Sequence, residues 1–256
     1  MLELAAKLRE WPTEAIWRIK NAITYSPPPL KWSWRSPDPM ERGLSDAERL
    51  RARELALRYE MSPWARVRNR REYIENLYLL DVLDRYVTPV ASENCLDIGA
   101  KSWTYLPALH SFTPGPWDGV ELDCYQRRWN MVTRRAYAES IARHCPGSRY
   151  IPGTLLDLQG KYSFITWILP FVTPGPLKYW GLPSRYYQPA LLLRHAWQLL
   201  KPGGVMFIMN QGEKEGAAQR HLFEEEKIPA RYLGVIASEF SPFVKMRVGW
   251  LTSKPK

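Results

Sequence analysis

From residue 94 onward the chain alternates between two kinds of segment, and that alternation constrains the fold more than any other feature. Four of the seven short apolar, β-prone runs are followed by a longer or shorter helical stretch. The strand-like runs are "NCLDIGA", "WDGVEL", "RYIPGTL", "YSFITWIL", "VMFIMNQ", "ARYLGVIAS" and "KMRVGWLTS". Between them lie a helical segment over about 103–112, then "YQRRWNMVTRRAYAESIARH", "QPALLLRHAWQLL" and "EGAAQRHLFEEE". Strands separated by helices pair in parallel and are covered by helices on both faces. The expectation is a doubly wound, mostly parallel seven-stranded α/β sheet. The last two strands are close in sequence, so one of them should run antiparallel at the sheet edge.

The residues before this region read differently. Leu4, Leu8, Trp11, Ala15, Ile19 and Ala22 recur at helical spacing, with a break and restart expected at Pro12. "SPPPLKWSWRSPDP" has five prolines and reads as a linker or surface strap. Ser45-Asp-Ala-Glu48 fits a capping box that opens a helix over about 46–60. One or two further helices follow in "SPWARVRNRREYIENLYLLDVLDRYV". Two regions result: a helical, Pro- and Trp-rich N-terminal extension over 1–74, and an α/β domain over 75–256.

Composition narrows the class of partner. The formal net charge is +10, from 36 Lys and Arg against 26 Asp and Glu. That favours anionic partners without choosing among nucleic acid, acidic lipid and phosphorylated metabolite. Cys95, Cys124 and Cys145 show no CxxC spacing and are read as reduced thiols in a reducing compartment. Lys7, Arg9 and Glu10 interrupt the N-terminus too early for a signal peptide. The longest apolar run, "FITWILPFV", is far shorter than the roughly 20 residues of a membrane span. The expected location is the cytoplasm.

In a doubly wound sheet, ligands sit beyond the carboxyl ends of the strands, where strand order reverses. Asp97 and Gly99 end the first strand, and Gly99 permits a tight turn close to a ligand. Glu121 ends the second strand, placed for a carboxylate to take both hydroxyls of a ribose.

With these residues the sequence resembles the class I S-adenosylmethionine-dependent methyltransferases over roughly 75–256. "CLDIGA", "GVELD", "IPGTLLDL" and "AWQLLKPGGVMFI" carry the resemblance. It implies a Rossmann-like fold, S-adenosyl-L-methionine as cofactor and methyl transfer as the activity. By position, Asp97 would bind the methionine ammonium, and the backbone of Gly99 and Ala100 would line the methionine moiety. Glu121 would hold the ribose and Leu122 would pack on the adenine. Thr154 stands where many members have an acid facing the adenine amino group, and Leu155 would offer a backbone amide beside the ring.

Two departures from the family pattern stand out. Lys101 replaces the second glycine of the loop. It fits if its backbone angles are ordinary and its side chain leaves the pocket, or its ammonium reaches the cofactor's carboxylate. After the fourth strand, "LPFVTPGP" is not the Asn/Asp-Pro-Pro-aromatic motif that serves methylation of exocyclic base amines.

The segment 170–190 follows the fourth strand and is long for a connection. It reads as a substrate-binding lid using Pro170, Tyr179, Trp180, Arg185, Tyr186 and Tyr187, with Asn210 after the fifth strand as a further contact. The sequence offers no metal-ligand spacing and no nucleophile–base pair, so no catalytic residue is assigned. Methyl transfer from a sulfonium needs alignment more than acid–base chemistry. Three readings follow. The first is a methyltransferase for a small molecule or a cell-envelope precursor, with residues 1–25 capping the site or touching an anionic membrane. The second is an RNA methyltransferase, contacting phosphate through Arg66, Arg68, Arg70 and Arg71 and stacking on Trp64 or Tyr73. The third is a binding module with the same fold and no turnover.

Overall fold

The computed structural model describes residues 2–29, 38–88, 93–243 and 245–256; the side chains of 2–9, 38, 39, 65 and 66 also lie outside the description. Most of the proline-rich linker expected at 26–39 therefore falls outside the described residues.

The sheet is built outward from its first strand. β1 (Cys95–Ile98) pairs in parallel with β2 (Trp117–Glu121), and β2 pairs in parallel with β3 (Arg149–Pro152). On the other side of β1, β4 (Tyr162–Ile168) and then β5 (Leu200–Gln211) continue in parallel. β6 (Arg231–Val235) and β7 (Arg247–Ser253) complete the order β3-β2-β1-β4-β5-β7-β6. β7 runs antiparallel to both of its neighbours, so it slots between β5 and β6 at this end of the sheet.

The helices are α1 (Leu2–Ala22), α2 (Asp38–Glu41), α3 (Asp46–Arg58), α4 (Arg70–Tyr86), α5 (Leu106–Phe112), α6 (Arg134–Ala142), α7 (Pro174–Tyr179), α8 (Pro189–Leu199) and α9 (Gly212–Glu225). Successive strand side chains point to opposite faces, and the two cores follow that alternation. Cys95, Trp117, Phe164, Phe207 and Met209 join the core under α3 to α6. Leu96, Val120, Ile165, Met206 and Ile208 join the core under α8 and α9.

Several local expectations hold, and two need correction. Ser45 and Glu48 form the capping box at the start of α3: the Glu48 amide donates to Ser45 Oγ at 3.2 Å, and the Ser45 amide donates to Glu48 at 2.7 Å. α1 does not break at Pro12; it runs on through it. Pro12 is exposed, so the carbonyl left without a partner one turn earlier is open to water and the lost bond costs less than in a core. The helix expected from Tyr125 starts only at Arg134. Residues 125–133 instead fold back on themselves. Arg127 and Thr133 pair as an isolated antiparallel bridge, and the Arg128 amide bonds the Val132 carbonyl at 2.9 Å. Asn130 accepts from the Val132 amide, and Thr133 caps α6 by accepting from the Ala136 amide. Short polar side chains that bond the nearby backbone compete with helix in this way.

One long-range contact fixes the loop that follows β1. Trp103 is fully buried and its indole lies on Gly119 of β2. A methyl at Gly119 would stand 2.6 Å from two ring carbons. Gly119→Ala should therefore cost about 1–3 kcal/mol through forced repacking of the indole, read as a lower urea midpoint at unchanged slope. An unchanged midpoint would show that this contact is slack.

Candidate functional site

Strand order reverses between β1 and β4, and a cavity of about 270 Å³ opens at the carboxyl ends of β1, β2 and β4. Its wall begins with the turn after β1. Gly99 has φ 75° and its amide, like that of Ala100, bonds back to the Val120 carbonyl. A Cβ at Gly99 would meet nothing within 4 Å, so the glycine is needed for its backbone angle and not for space.

Lys101 departs from the expected ordinary backbone. Its φ is 52°, a left-handed conformation that costs an L-residue roughly 1–2 kcal/mol. Two hydrogen bonds hold it there: its amide donates to Glu121 Oε2 at 2.8 Å, and its carbonyl accepts from the Tyr150 hydroxyl at 2.5 Å. Its side chain does not leave for solvent. It lines the cavity, with Nζ 5.7 Å from the centre of the Trp180 ring. Burial pushes the ammonium's pKa down; Glu121 opposes this, while Arg134 and Arg247 add to it.

Glu121 is the centre of the site. It is buried, and its two oxygens accept the amides of Lys101 and, at 2.7 Å, of Asp123. A carboxylate has about four lone-pair sites, so two remain for a ligand in the cavity that Glu121 lines. Arg134 stands 3.8 Å from Glu121 Oε1 and 3.0 Å from Asp123 Oδ2, and its guanidinium lies over the Trp180 ring at 4.9 Å. Lys20 of α1 closes the network at 2.5 Å from Asp123 Oδ1. Elsewhere the wall is mostly apolar, with Val120, Leu122, Leu155, Trp167, Leu177 and Leu182. Thr154 also lines it; its hydroxyl accepts from the Leu156 amide at 3.3 Å and keeps a proton to donate.

The structure brings Gly99, Lys101, Glu121, Leu122, Thr154, Leu155, Pro170, Trp180 and Arg185 to one cavity. Asp97, Ala100, Tyr179, Tyr187 and Asn210 do not line it. Asp97 is fully buried behind the turn, accepting from Thr166 Oγ1 at 2.7 Å and from the Tyr105 hydroxyl at 2.9 Å. Ala100 is fully buried as well. Tyr179 points outward, 87% exposed. Tyr187 donates to the Val172 carbonyl and so braces the lid from within. Asn210 is buried, with neither amide atom bonded among the described residues.

The segment 170–190, expected to act as a lid, contains α7, a tight turn at Ser184–Tyr186 and the start of α8. α1 lies across it. Trp17 is buried against Leu177 and Leu182, and its ring meets Tyr186 at 5.4 Å. Glu14 pairs with Arg185, and Glu10 accepts the Ser184 amide. Asp123 and Arg134 went unrecognised in the sequence, whereas Trp17 and Lys20 belong to the 1–25 segment expected to cap the site or touch a membrane. Only the lone Asp after Glu121 and the basic "TRR" hinted at Asp123 and Arg134.

The arginine-rich run is not a stacking platform. Trp64 and Tyr73 are core residues, with Trp64 Nε1 bonded to Ser111. Arg68 lies over Tyr137 at 3.7 Å, Arg70 bonds the Arg42 carbonyl, and Arg71 pairs with Glu75. The Arg66 side chain is outside the described residues.

Burial pushes the Asp97 carboxyl up to about 7, against the Thr166 and Tyr105 hydrogen bonds that favour its charged form. A raised pKa means the folded state holds the proton more tightly. That stabilisation is complete below the unfolded pKa and is lost as pH rises through about 7. Asp97→Asn cannot ionise, so its stability relative to wild type should improve between about pH 4 and about pH 7 and level off above that. Urea midpoints across that range test this; a difference independent of pH would contradict it.

No family model matches the sequence, and no curated protein matches it. Solved structures do resemble it. An S-adenosylmethionine-dependent methyltransferase from Aquifex aeolicus is 15% identical, aligning 72% of this chain with 97% of its own at a TM-score of 0.49. Magnesium protoporphyrin IX methyltransferase from Synechocystis is 12% identical over 85% and 90% of the two chains, at 0.44. A precorrin-6y C5,15-methyltransferase from Geobacter metallireducens is 12% identical over 68% and 86%, at 0.43. Likeness of this degree carries no residue-level inference, and the fold is read from the sheet itself. Its seven strands in the order β3-β2-β1-β4-β5-β7-β6, with β7 reversed and helices on both faces, give this chain a Rossmann-like, doubly wound fold.

Proposed function

We propose that the chain is an S-adenosylmethionine-dependent methyltransferase acting on a small molecule or a cell-envelope precursor. The observation that carries this reading is the Glu121 carboxylate. Two main-chain amides aim it into a mostly apolar cavity at the point where strand order reverses. In this reading residues 75–256 are the catalytic domain and residues 1–74 an N-terminal extension whose first helix braces the lid.

The residues present fit the cofactor. Glu121 has lone pairs left for the two ribose hydroxyls, and a bidentate contact to a charged acceptor is among the strong ones. Leu122 and Leu155 line the cavity and would supply apolar surface for the adenine, with the Thr154 hydroxyl in the same wall as a donor to it. The open side of Gly99 leaves room for the methionine portion. Lys101 offers the charge that a carboxylate there would need. Asp97, behind the turn, is poised to ionise in answer to a nearby ammonium. When bound, the cofactor supplies an electrophilic methyl group on a sulfonium. The chain's own part is to hold, orient and exclude water, and Trp180, Pro170 and Arg185 form the wall where an acceptor would lie. We place the activity in the cytoplasm. The three buried free cysteines support that reading, and among the described residues no helix is long and apolar enough to cross a membrane.

Calorimetric titration with S-adenosylmethionine and with its demethylated product tests the reading. Binding of both, weakened at least tenfold in Glu121→Gln, is expected; lost hydrogen bonds to a charged group are worth about 1.5–3 kcal/mol each. Glu121→Ala should weaken binding further. Thermal unfolding of each variant separates a lost contact from a collapsed loop, because Glu121 also holds the Lys101 turn. Full affinity in a folded Glu121→Gln would remove the ribose assignment. Absence of binding by wild type would leave a binding module for another ligand.

A further inference from the structure

α1 has two faces. The one carrying Glu10, Glu14, Trp17 and Lys20 meets the lid and the cavity network. The opposite face is largely exposed. At about 100° per residue, Trp11, Ala15, Ile16, Ile19 and Ala22 fall within one arc of about 140° that carries no charge, and Ile23 follows just past the helix end. Trp11 is 69% exposed, and Ile16, Ile19 and Ile23 each exceed half.

The folded-back loop at 127–132 extends this surface. The Arg127 guanidinium donates to the carbonyls of Ile23 and Tyr25 at 3.0 and 2.9 Å, and Ser26 Oγ accepts the Thr133 amide at 3.0 Å. The loop is thereby tied to the end of α1, and it holds out Trp129 and Met131 beside an outward Tyr25. Of the fourteen large apolar side chains exposed among the described residues, seven belong to these two segments. A patch so concentrated marks an interaction site.

Charge selects the occupant. Residues 11–29 and 125–135 contain six bases and one acid, Glu14, which is already paired with Arg18 and Arg185. Lys20 and Arg134 serve the cavity network, Arg18 pairs with Glu14, Arg135 pairs with Glu139, Arg128 lies over Tyr137 and Arg127 bonds main-chain carbonyls, so the surroundings of the patch stay net basic. A second copy meeting this face would set like charges against each other. Isoleucines give no purchase on phosphate alone. An amphipathic helix with Trp and Ile on one face, flanked by arginine and by outward Trp and Tyr, suits the headgroup–acyl boundary of an anionic bilayer.

We propose that the outer face of α1 and the 127–132 loop dock on an anionic lipid bilayer, with α1 lying in the plane of the interface. The inference stands apart from the cofactor reading, since neither segment's outer face touches the cavity. Its consequence is that the lid, gripped by the inner face of the same helix, sits beside the membrane.

Flotation of the full chain tests it, using vesicles of phosphatidylcholine alone and of an equal mixture of phosphatidylcholine and phosphatidylglycerol. Binding to the mixture, weak binding to phosphatidylcholine and loss at high salt are expected. The double variant Ile16→Glu, Ile19→Glu and the separate variant Trp129→Ala should each reduce partitioning by about tenfold or more. Their unfolding temperatures should stay unchanged, because the side chains are exposed. Should the glutamates unfold α1, Ile16→Ala with Ile19→Ala replaces them with the same direction of effect. The proposal is overturned by absence of flotation with either vesicle, or by full binding in the folded variants. It is overturned equally by a dimer in sedimentation that Ile16→Glu, Ile19→Glu dissolves, or by RNA retention in a gel shift that the same variant abolishes.

Discussion

Two hydrogen bonds to one carboxylate organise the site. Glu121, at the end of β2, accepts the amides of Lys101 and Asp123. The first bond joins the turn after β1 to the neighbouring strand and keeps Lys101 in a left-handed backbone that its side chain disfavours. The second draws the Asp123 main chain in and sets its carboxylate against Arg134 and Lys20. Removing the carboxylate would leave the Lys101 and Asp123 amides without their acceptor and take a nearby anion from Arg134, so ligand contact and local architecture share one residue.

The same network reaches the N-terminal helix. Lys20 anchors α1 to Asp123, Trp17 anchors it to the lid, and Glu14 fixes Arg185. The lid is therefore held from both sides, by the sheet through Leu169, whose amide bonds Met209, and by α1 through three different kinds of contact. A helix that grips a lid on one face and presents isoleucine and tryptophan on the other couples the cavity's cover to whatever surface the outer face meets.

Much of this was legible in the sequence. The alternation after residue 94 predicts the seven strands. The acids ending β1 and β2 mark the switch point, and Gly99 marks the turn. What was hidden depends on contacts distant in the chain. A lysine with positive φ has no sequence signature, because the angle is imposed by Glu121 and Tyr150, twenty and more residues away. Trp103 and Gly119 explain each other only once β1 and β2 lie side by side. Arg134 was hidden inside a stretch with helical periodicity, where Asn130 and Thr133 turn the backbone to local bonds instead. Tyr179 and Tyr187 share an aromatic, proline-rich context with Trp180, yet only Trp180 turns to the cavity; composition does not report direction.

The account's central claim is that Glu121 presents its free lone pairs to a ribose inside this cavity. A crystal structure of the chain with S-adenosylhomocysteine tests it most directly. The account predicts both ribose hydroxyls on the Glu121 carboxylate, with the adenine between Leu122 and Leu155 and the amino-acid end toward Gly99 and Lys101. A ligand seated with its ribose away from Glu121, or a cavity that stays empty at saturating ligand, would contradict it.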